Sequence, residues 1–526
     1  MINLKEDKEH LMSLTINSCL LLLKEHHLLK SSAIQGDLDT LMTDISFDSR
    51  KVKENCLFFC KGEHFRPAFL TMARDKGAIT YIAEKPMVEG SGLNAFIVRN
   101  VTKAMAILAA AFYDYPQDDL NILAITGTKG KTTTAYFAQS ILDYQVPKRV
   151  ALFSTIERVV GSNPKDKIPS KLSTPESVDL FAEMHQAGVN DMTDLVMEVS
   201  SQAYLKNRVF GLTYDVGVFL NISPDHIGEN EHPTYANYLH NKIQLIMNSR
   251  KVVLHAETQD WEMVSKAAEV STDDDSIYIF GRESFFKEHS EIEFDFYYVI
   301  NEDLITGVQF TLKAVSQKGK LLNIEGDYEI SMPGLFNVVD AVGAIISSTL
   351  LGSNRHEAYL GIKSVKVPGR LEVLDLQNHG TAIVDFAHNR LSLTAALNFI
   401  KSKFPQAKIG VVTGSAGDKG MNRRSDMGEV LNSLADRVYL TTDDPDYEEA
   451  SDIANEIRAY IVNDDVEVTY IEDRAEAIKK AVEDSGPDDV ILLAGKGADK
   501  YMTIRGQRLP YEGDREITLR ILKELG

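Results

Sequence analysis

The stretch "NILAITGTKGKTTT" at residues 121–134 runs from an apolar segment into a glycine-punctuated loop and then into three threonines that open a helix. A strand, a short Gly-rich turn and a helix N-terminus together make an anion site. Gly127 and Gly130 let the backbone approach phosphate oxygens, and the first-turn N–H groups of the helix point at the ligand. Lys131 is placed to neutralise charge at the β/γ-phosphates, and the Thr132 hydroxyl to bind Mg²⁺, with Thr128, Lys129 and Thr133 completing the loop. The usual Gly-x4-Gly-Lys-Thr spacing would need glycine where Ile125 stands, so the loop reads as a shortened Gly-x-x-Gly-Lys-Thr. The alternative is a glycine-rich turn that merely connects strand to helix.

Working outward, short apolar runs alternate with helical stretches in three α/β blocks, taken as residues 1–115, 116–365 and 366–526. The first holds "CLFFCKG" (56–62), "AITYIAEK" (78–85) and "AFIVRN" (95–100). The second continues from the opening strand through "VALFST" (150–155), "DLVMEVS" (194–200), "VGVFLNI" (216–222) and "KVVLHA" (251–256). Residues 291–315 alternate instead, as a half-exposed antiparallel hairpin set added to that sheet would. The third block carries "TAIVDFA", "KIGVVTG", "DRVYLTT", "VEVTYI" and "DVILLAG". The fold expected is α/β with a central parallel sheet bearing the phosphate loop and a C-terminal Rossmann-like parallel sheet. Ligands of such sheets bind beyond the carboxyl ends of the strands. The conspicuous polar sequences, "EVSSQ", "NISPDH", "DFAHN", "TTDDPD" and "AGKGADK", all follow strands.

With 526 residues, 44% of them hydrophobic, the chain needs several cores. Its formal charge of −21 argues against nonspecific nucleic-acid binding and against an anionic membrane surface. Three cysteines, Cys19, Cys56 and Cys60, neither staple a secreted fold nor complete a four-ligand zinc site, which favours a reducing cytoplasm. No apolar run approaches the ~18–20 residues of a membrane span.

Further candidates sit at strand ends. Glu198, His226 and Lys242 suit a hard divalent cation shared with ATP phosphates, although His226 alone would more often be a surface or capping histidine and Lys242 a solvated one. Asn337, in "MPGLFNVVDAVGAI", is either a ligand contact or a cap. In "TTDDPDYEE" (441–449) five acids crowd seven positions. Such runs are usually solvated, and Asp446 could cap the following helix.

Taken together these motifs resemble the Mur ligase family, ATP-dependent amide ligases of peptidoglycan precursor synthesis. "DSRKVKENCLFFCKG" (48–62) resembles the branch that makes UDP-N-acetylmuramoyl-tripeptide. The resemblance implies three domains binding, in order, the UDP-sugar, ATP and the incoming amino acid, in a monomer. It implies uridine contact by Ser49 and contact with the muramoyl-dipeptide by Ser173, Thr174, Ser200 and Arg208. It makes Lys242 a carbamylated lysine supporting Mg²⁺ beside Thr132, Glu198 and His226. Asn337 becomes an adenine contact, Asp385 a ribose contact and Arg370 a phosphate contact, with His388 beside them; Asp340 replaces a frequent Asn. Lys131, Lys242, Glu198, His226 and Arg370 form the implied catalytic set. The implied reaction is phosphorylation of the D-glutamyl side carboxylate, followed by attack of an amine on the acyl phosphate.

The acidic stretch then acquires a meaning. In diaminopimelate-adding relatives the corresponding motif is Asp-Asn-Pro-Arg; here it is Asp443-Asp444-Pro445-Asp446. The charge reversal repels a distal carboxylate and attracts a distal ammonium, which points to L-lysine as the amino acid added to UDP-MurNAc-L-Ala-D-Glu. Arg424 matches the position that would hold the α-carboxylate, and Gly495 and Asp499 two further substrate-side positions. L-Ornithine, meso-diaminopimelate, a folylpolyglutamate synthetase-like ligation and a nucleotide-switch ATPase are the alternatives.

Overall fold

The computed structural model describes residues 13–62, 65–225, 227–228, 231–417 and 422–525. Among the described residues three large sheets follow one another along the chain. A five-stranded sheet uses Leu29–Ala33, Asp44–Ser46, Cys56–Phe59, Ala78–Ala83 and Asn94–Val98, with Leu29–Ala33 as an antiparallel edge. An eleven-stranded sheet spans residues 121–330. A six-stranded sheet is built from Glu372–Asp375, Thr381–Asp385, Ile409–Thr413, Arg437–Leu440, Glu467–Tyr470 and Val490–Ala494, parallel except for the first.

The central strand Asn121–Thr126 lies between Asp194–Glu198 and Tyr214–Phe219, parallel to both. All but its first residue are buried, as expected of a strand covered on both faces, whose apolar residues therefore run on without alternation. Parallel pairing aligns the carboxyl ends, so residues 127–130, 199–201 and 220–223 emerge side by side. Phe296–Leu304, Gly307–Ala314 and Gly326–Ile330 extend the far edge as an antiparallel set, matching the alternation read in the sequence. Two short strands, Glu157–Val159 and Lys167–Pro169, extend the other edge, and residues 170–174 lead on from them.

Outside the C-terminal sheet, Tyr501–Ile504 and Gln507–Pro510 pair as a separate hairpin. The three cysteines are free and buried. Among the described residues no helix is long and apolar enough to cross a membrane.

Candidate active site

The phosphate loop closes on itself. Gly130, at φ +86°, precedes the helix Lys131–Gln145, and a Cβ there would come within 2.1 Å of Asp340 Oδ1. A side chain at this position is excluded both by backbone conformation and by contact. Asn221, at the neighbouring strand end, clamps the loop: its Oδ1 accepts from Lys129 N at 2.9 Å and its Nδ2 donates to Lys129 O at 3.1 Å. Lys131 Nζ donates to Gly127 O at 2.7 Å and Thr128 O at 3.3 Å. Burial holds the Lys131 ammonium below its usual range despite the pull of Glu198 and Asp225. Burial likewise brings Lys129 down to about 8.

Glu198 ends its strand fully buried and ties the floor together. Its Oε1 accepts from Thr132 Oγ1 at 2.9 Å and Thr155 N at 2.7 Å, and its Oε2 from Thr155 Oγ1 at 3.0 Å. Thr155 Oγ1 also meets Ser173 Oγ at 2.7 Å. Thr174 Oγ1 donates to Glu198 O at 3.0 Å and accepts from Ser200 N at 3.1 Å. Arg208 binds Glu176 Oε1 at 3.1 Å, and Lys61 from the N-terminal sheet binds the same carboxylate. Burial acts to raise Glu176, but these two cations outweigh it and leave the carboxyl low.

Lys242 is buried, its Nζ 5.1 Å from the centre of the Tyr238 ring, and Tyr238 in turn meets Thr128 Oγ1 through its hydroxyl at 2.9 Å. Burial, reinforced by Lys131, drives the Lys242 amine well below the usual lysine range. His226 lies outside the described residues.

From the C-terminal side, Arg370 stacks over Phe386, 4.7 Å from its ring centre. Asp385 Oδ2 accepts from Leu371 N at 2.8 Å, and burial raises its carboxyl. His388 Nδ1 meets Phe386 O at 2.7 Å; burial, with Lys129 and Arg423 nearby, keeps its imidazole neutral. Asp225 joins the two sides: it accepts from Arg423 at 3.1 Å and Asn389 at 3.0 Å, and lies 4.0 Å from Lys129 Nζ.

Between the two sides lies a cavity of about 650 Å³. The structure brings Thr128 through Thr133, Ser173, Glu198, Arg370, Asp385 and His388 to its wall. Asn337 is not there. Its buried amide donates to Pro333 O at 2.6 Å, and it is not a cap, because the helix Phe336–Leu350 begins after Leu335. Phe336, its half-exposed neighbour, faces the cavity instead. A second cavity, about 410 Å³, opens between the N-terminal and central sheets beside Phe47, Lys51 and Lys53. Ser49 is buried in the adjoining turn, its hydroxyl on Met72 Sδ at 3.4 Å.

The acidic stretch is organised around a cation absent from the sequence reading. Lys496 Nζ, almost fully buried, lies 3.0 Å from Asp444, 3.7 Å from Asp443 and 3.7 Å from Asp499. Burial raises Asp443, and it pushes Asp499 up to about 6. Burial alone would depress Lys496, but the three carboxylates reverse that and raise it. Gly495, at φ +110°, lets Asp443 approach: a Cβ there would stand 2.4 Å from Asp443 Oδ2.

Asp446 does not cap the following helix, which starts after Glu449. It takes the left-handed conformation at φ 52°, and its Oδ1 accepts from Gly506 N at 2.7 Å. Arg424 is committed to Glu448 and Glu456, at 2.8 Å each, and is 1% exposed. It is not brought to the main cavity, and Glu448 is one arm of an ion pair rather than a solvated acid. Lys496 sat in the quoted "AGKGADK", and its position between two glycines beside a strand end was the signal available for it. Asn221 and Asp225 sat in the quoted "NISPDH" and Thr155 ended "VALFST", but their partners, distant in sequence, had no local signal.

The Mur ligase middle domain matches residues 125–348, and the Mur ligase glutamate ligase domain matches residues 369–497. The chain is 52% identical over 514 residues to a UDP-N-acetylmuramyl-tripeptide synthetase of Lacticaseibacillus paracasei, covering 98% of this chain and 99% of the relative. The chain belongs to the Mur ligase family. A second relative of this ligase, the UDP-N-acetylmuramoyl-L-alanyl-D-glutamate–L-lysine ligase of Enterococcus faecalis, is 41% identical, with 90% of each chain covered. Among solved structures, a UDP-N-acetylmuramoyl-L-alanyl-D-glutamate–2,6-diaminopimelate ligase superposes with a TM-score of 0.62 at 23% identity, covering 94% of this chain and 97% of that one; at this identity the likeness speaks to the fold. The family is ATP-dependent, and its ligation serves peptidoglycan synthesis.

The described donors also suit Mg²⁺. Thr132 and Glu198 offer one hydroxyl and one carboxylate within 2.9 Å of each other. Among the described residues no cluster of three His, Cys, Asp or Glu forms a closed metal cage. Few, hard oxygen donors beside a phosphate loop are what Mg²⁺ takes when nucleotide and water fill the rest of its shell.

Proposed function

We propose that the protein joins L-lysine to UDP-N-acetylmuramoyl-L-alanyl-D-glutamate with ATP, as a cytoplasmic monomer. The observation carrying this reading is the pairing of a cation-rich phosphate cavity with an acidic loop in which three carboxylates, Asp443, Asp444 and Asp499, share one lysine. The 41% identical relative named as an L-lysine ligase supports it.

In this reading ATP lies in the 650 Å³ cavity, its phosphates on the N–H groups at the start of Lys131–Gln145. Lys131 exchanges its loop carbonyls for the γ-phosphoryl oxygens, and Arg370 approaches from the opposite wall. Both neutralise charge on the phosphoryl group as it passes to the D-glutamyl side carboxylate. Thr132 and Glu198, with His226 and carbamylated Lys242, would hold Mg²⁺, which when bound would supply further charge neutralisation. Carbamylation needs a neutral amine, and burial shifts Lys242 in that direction. Ser173, Thr174, Ser200 and Arg208 hold the muramoyl-dipeptide, and Ser49 stands at the uridine end. The α-amine of lysine then attacks the acyl phosphate carbon and phosphate leaves. Closure around the cavity keeps water from that intermediate.

A distal ammonium is selected by Asp444, Asp446 and Asp499 around the loop, with Asp443 and Gly495 shaping it; Arg424 takes the α-carboxylate only by exchanging its present partners Glu448 and Glu456 for it. The test supplies the UDP-dipeptide, ATP and, separately, lysine, ornithine and meso-diaminopimelate, and records phosphate release. Lysine is expected to give the highest kcat/KM. Equal turnover with meso-diaminopimelate would remove the reading of the acidic loop.

A further inference from the structure

Among the described residues, the hairpin Tyr501–Pro510 has contacts that reach both the acidic loop and the loop leading to Ser173 and Thr174. Near its turn, Asp444 Oδ1 accepts from Thr503 N at 2.7 Å as well as binding Lys496. Asp446 N donates to Thr503 O at 3.1 Å, and Asp446 receives Arg505 N at 2.6 Å and Gly506 N at 2.7 Å. The two aspartates thus fix the register of the hairpin. Thr503 pairs directly with Arg508 on the other strand.

Arg508 projects to the central region. Its Nη2 donates to Lys171 O at 2.9 Å and its Nη1 reaches Ser170 O at 3.4 Å. Its guanidinium lies 4.1 Å from the centre of the Tyr501 ring, and Lys496 Nζ lies 5.2 Å from the same centre. A continuous path therefore runs from Asp444 through Lys496 and Tyr501 to Arg508 and the carbonyls of residues 170–171. That loop is pinned at its base by Ser170 Oγ on Ser154 O at 2.5 Å, and three residues on carries Ser173 and Thr174.

We propose that Arg508 is a positioning residue that couples occupancy of the amino-acid pocket to the seating of the muramoyl-peptide loop. An amino acid whose ammonium engages Asp444 adds a second cation to the carboxylate that holds Lys496 and Thr503 N, and so firms the seat of the hairpin. The hairpin transmits that change to Ser170 and Lys171. Binding of the amino acid and of the UDP-dipeptide is then synergistic, and Arg508 carries the synergy. This rests on the lysine-ligase reading for the identity of the amino acid, but not for the existence of the coupling.

The test measures binding of UDP-N-acetylmuramoyl-L-alanyl-D-glutamate by calorimetry, with and without saturating amino acid, in the full-length protein and in Arg508→Ala, Arg508→Lys and Tyr501→Leu. Lysine is used first; if the wild type turns over another amino acid instead, that one replaces it, which separates failure of the lysine reading from failure of the coupling. The wild type is expected to bind the UDP-dipeptide more tightly with amino acid present. Arg508→Ala should erase that gain and raise KM for the UDP-dipeptide by about three- to tenfold, with KM for ATP unchanged. Arg508→Lys should restore part, since one ammonium can still reach one carbonyl, and Tyr501→Leu should fall between. Undiminished synergy in Arg508→Ala, or an equal rise in KM for all three substrates, would overturn the proposal.

Discussion

In and beneath the phosphate cavity, burial holds the amines of Lys129, Lys131 and Lys242 below their ordinary range, whereas around the acidic loop burial lifts the carboxyls of Asp443 and Asp499 above theirs. Both regions stand at the carboxyl ends of parallel strands, and in both the polar groups gather because neighbouring strands end together. They differ in how the excess charge is balanced. The cavity's cations meet Glu198, Asp225 and Asp340, and the first two are already engaged with Thr132, Thr155, Arg423 and Asn389. The acidic loop sets three carboxylates against the single ammonium of Lys496. On the proposed reading one region takes an anion and the other a cation, as a ligase that joins an activated carboxylate to a cationic amino acid would need.

The comparison breaks most visibly at Lys131. Lys131→Met should lower kcat by about 100- to 1000-fold, as loss of one preorganised charge at a transferring group does, while lysine selectivity among the residual turnovers stays the same. Phosphate release at saturating substrates measures the first, and competition between labelled amino acids the second.

Asp444→Asn removes charge from the opposite region and should raise KM for lysine by about 10- to 100-fold with little change for ATP. Initial rates with each substrate varied in turn separate the two effects.

Asp499 sharpens the contrast through pH. Its folded carboxyl keeps its proton up to about 6, whereas an unfolded one releases it near 3.8. Folding is therefore favoured most at low pH, and on the order of 2–3 kcal/mol is lost as pH rises through 6. Asp499→Asn should raise Tm at pH 8, with the gain shrinking as pH falls toward 4. The wild-type KM for lysine should climb below pH 6 as the pocket loses a negative charge, and the variant should lack that limb. Thermal melts and pH-resolved kinetics read both.

Asp446→Asn should have the smallest effect, about threefold or less on KM for lysine, because an amide oxygen still accepts from Gly506 N. Asp446→Arg should act more strongly through the same contact, and steady-state kinetics of the pair distinguish lost charge from a displaced hairpin.

These regions also differ in how far they were legible from residues alone. The phosphate loop is local: strand, Gly127, Gly130, Lys131 and Thr132 lie within a few positions, so sequence spacing and spatial arrangement coincide. The parallel core and the antiparallel extension after residue 290 were readable for the same reason, since burial on two faces and on one face leave different patterns. The acidic loop is assembled from segments about fifty residues apart, and sequence reading could assign its sign but not its central Lys496. Arg424 looked like a free carboxylate binder because nothing local announces Glu448 and Glu456 as its partners. Asn337 looked like a nucleotide contact, yet its buried amide is used on Pro333, and the exposed ring at the cavity is its neighbour Phe336.

The central claim is that the carboxylates beyond the C-terminal sheet select an amino acid by its side-chain ammonium. The most direct measurement is the ratio of kcat/KM for lysine over norleucine, a chain of similar shape without that charge, in the wild type and in Asp444→Asn. The wild type should prefer lysine by at least about 30-fold, and the variant should lose most of that preference. A wild-type ratio near unity, or a ratio untouched by Asp444→Asn, would contradict the account.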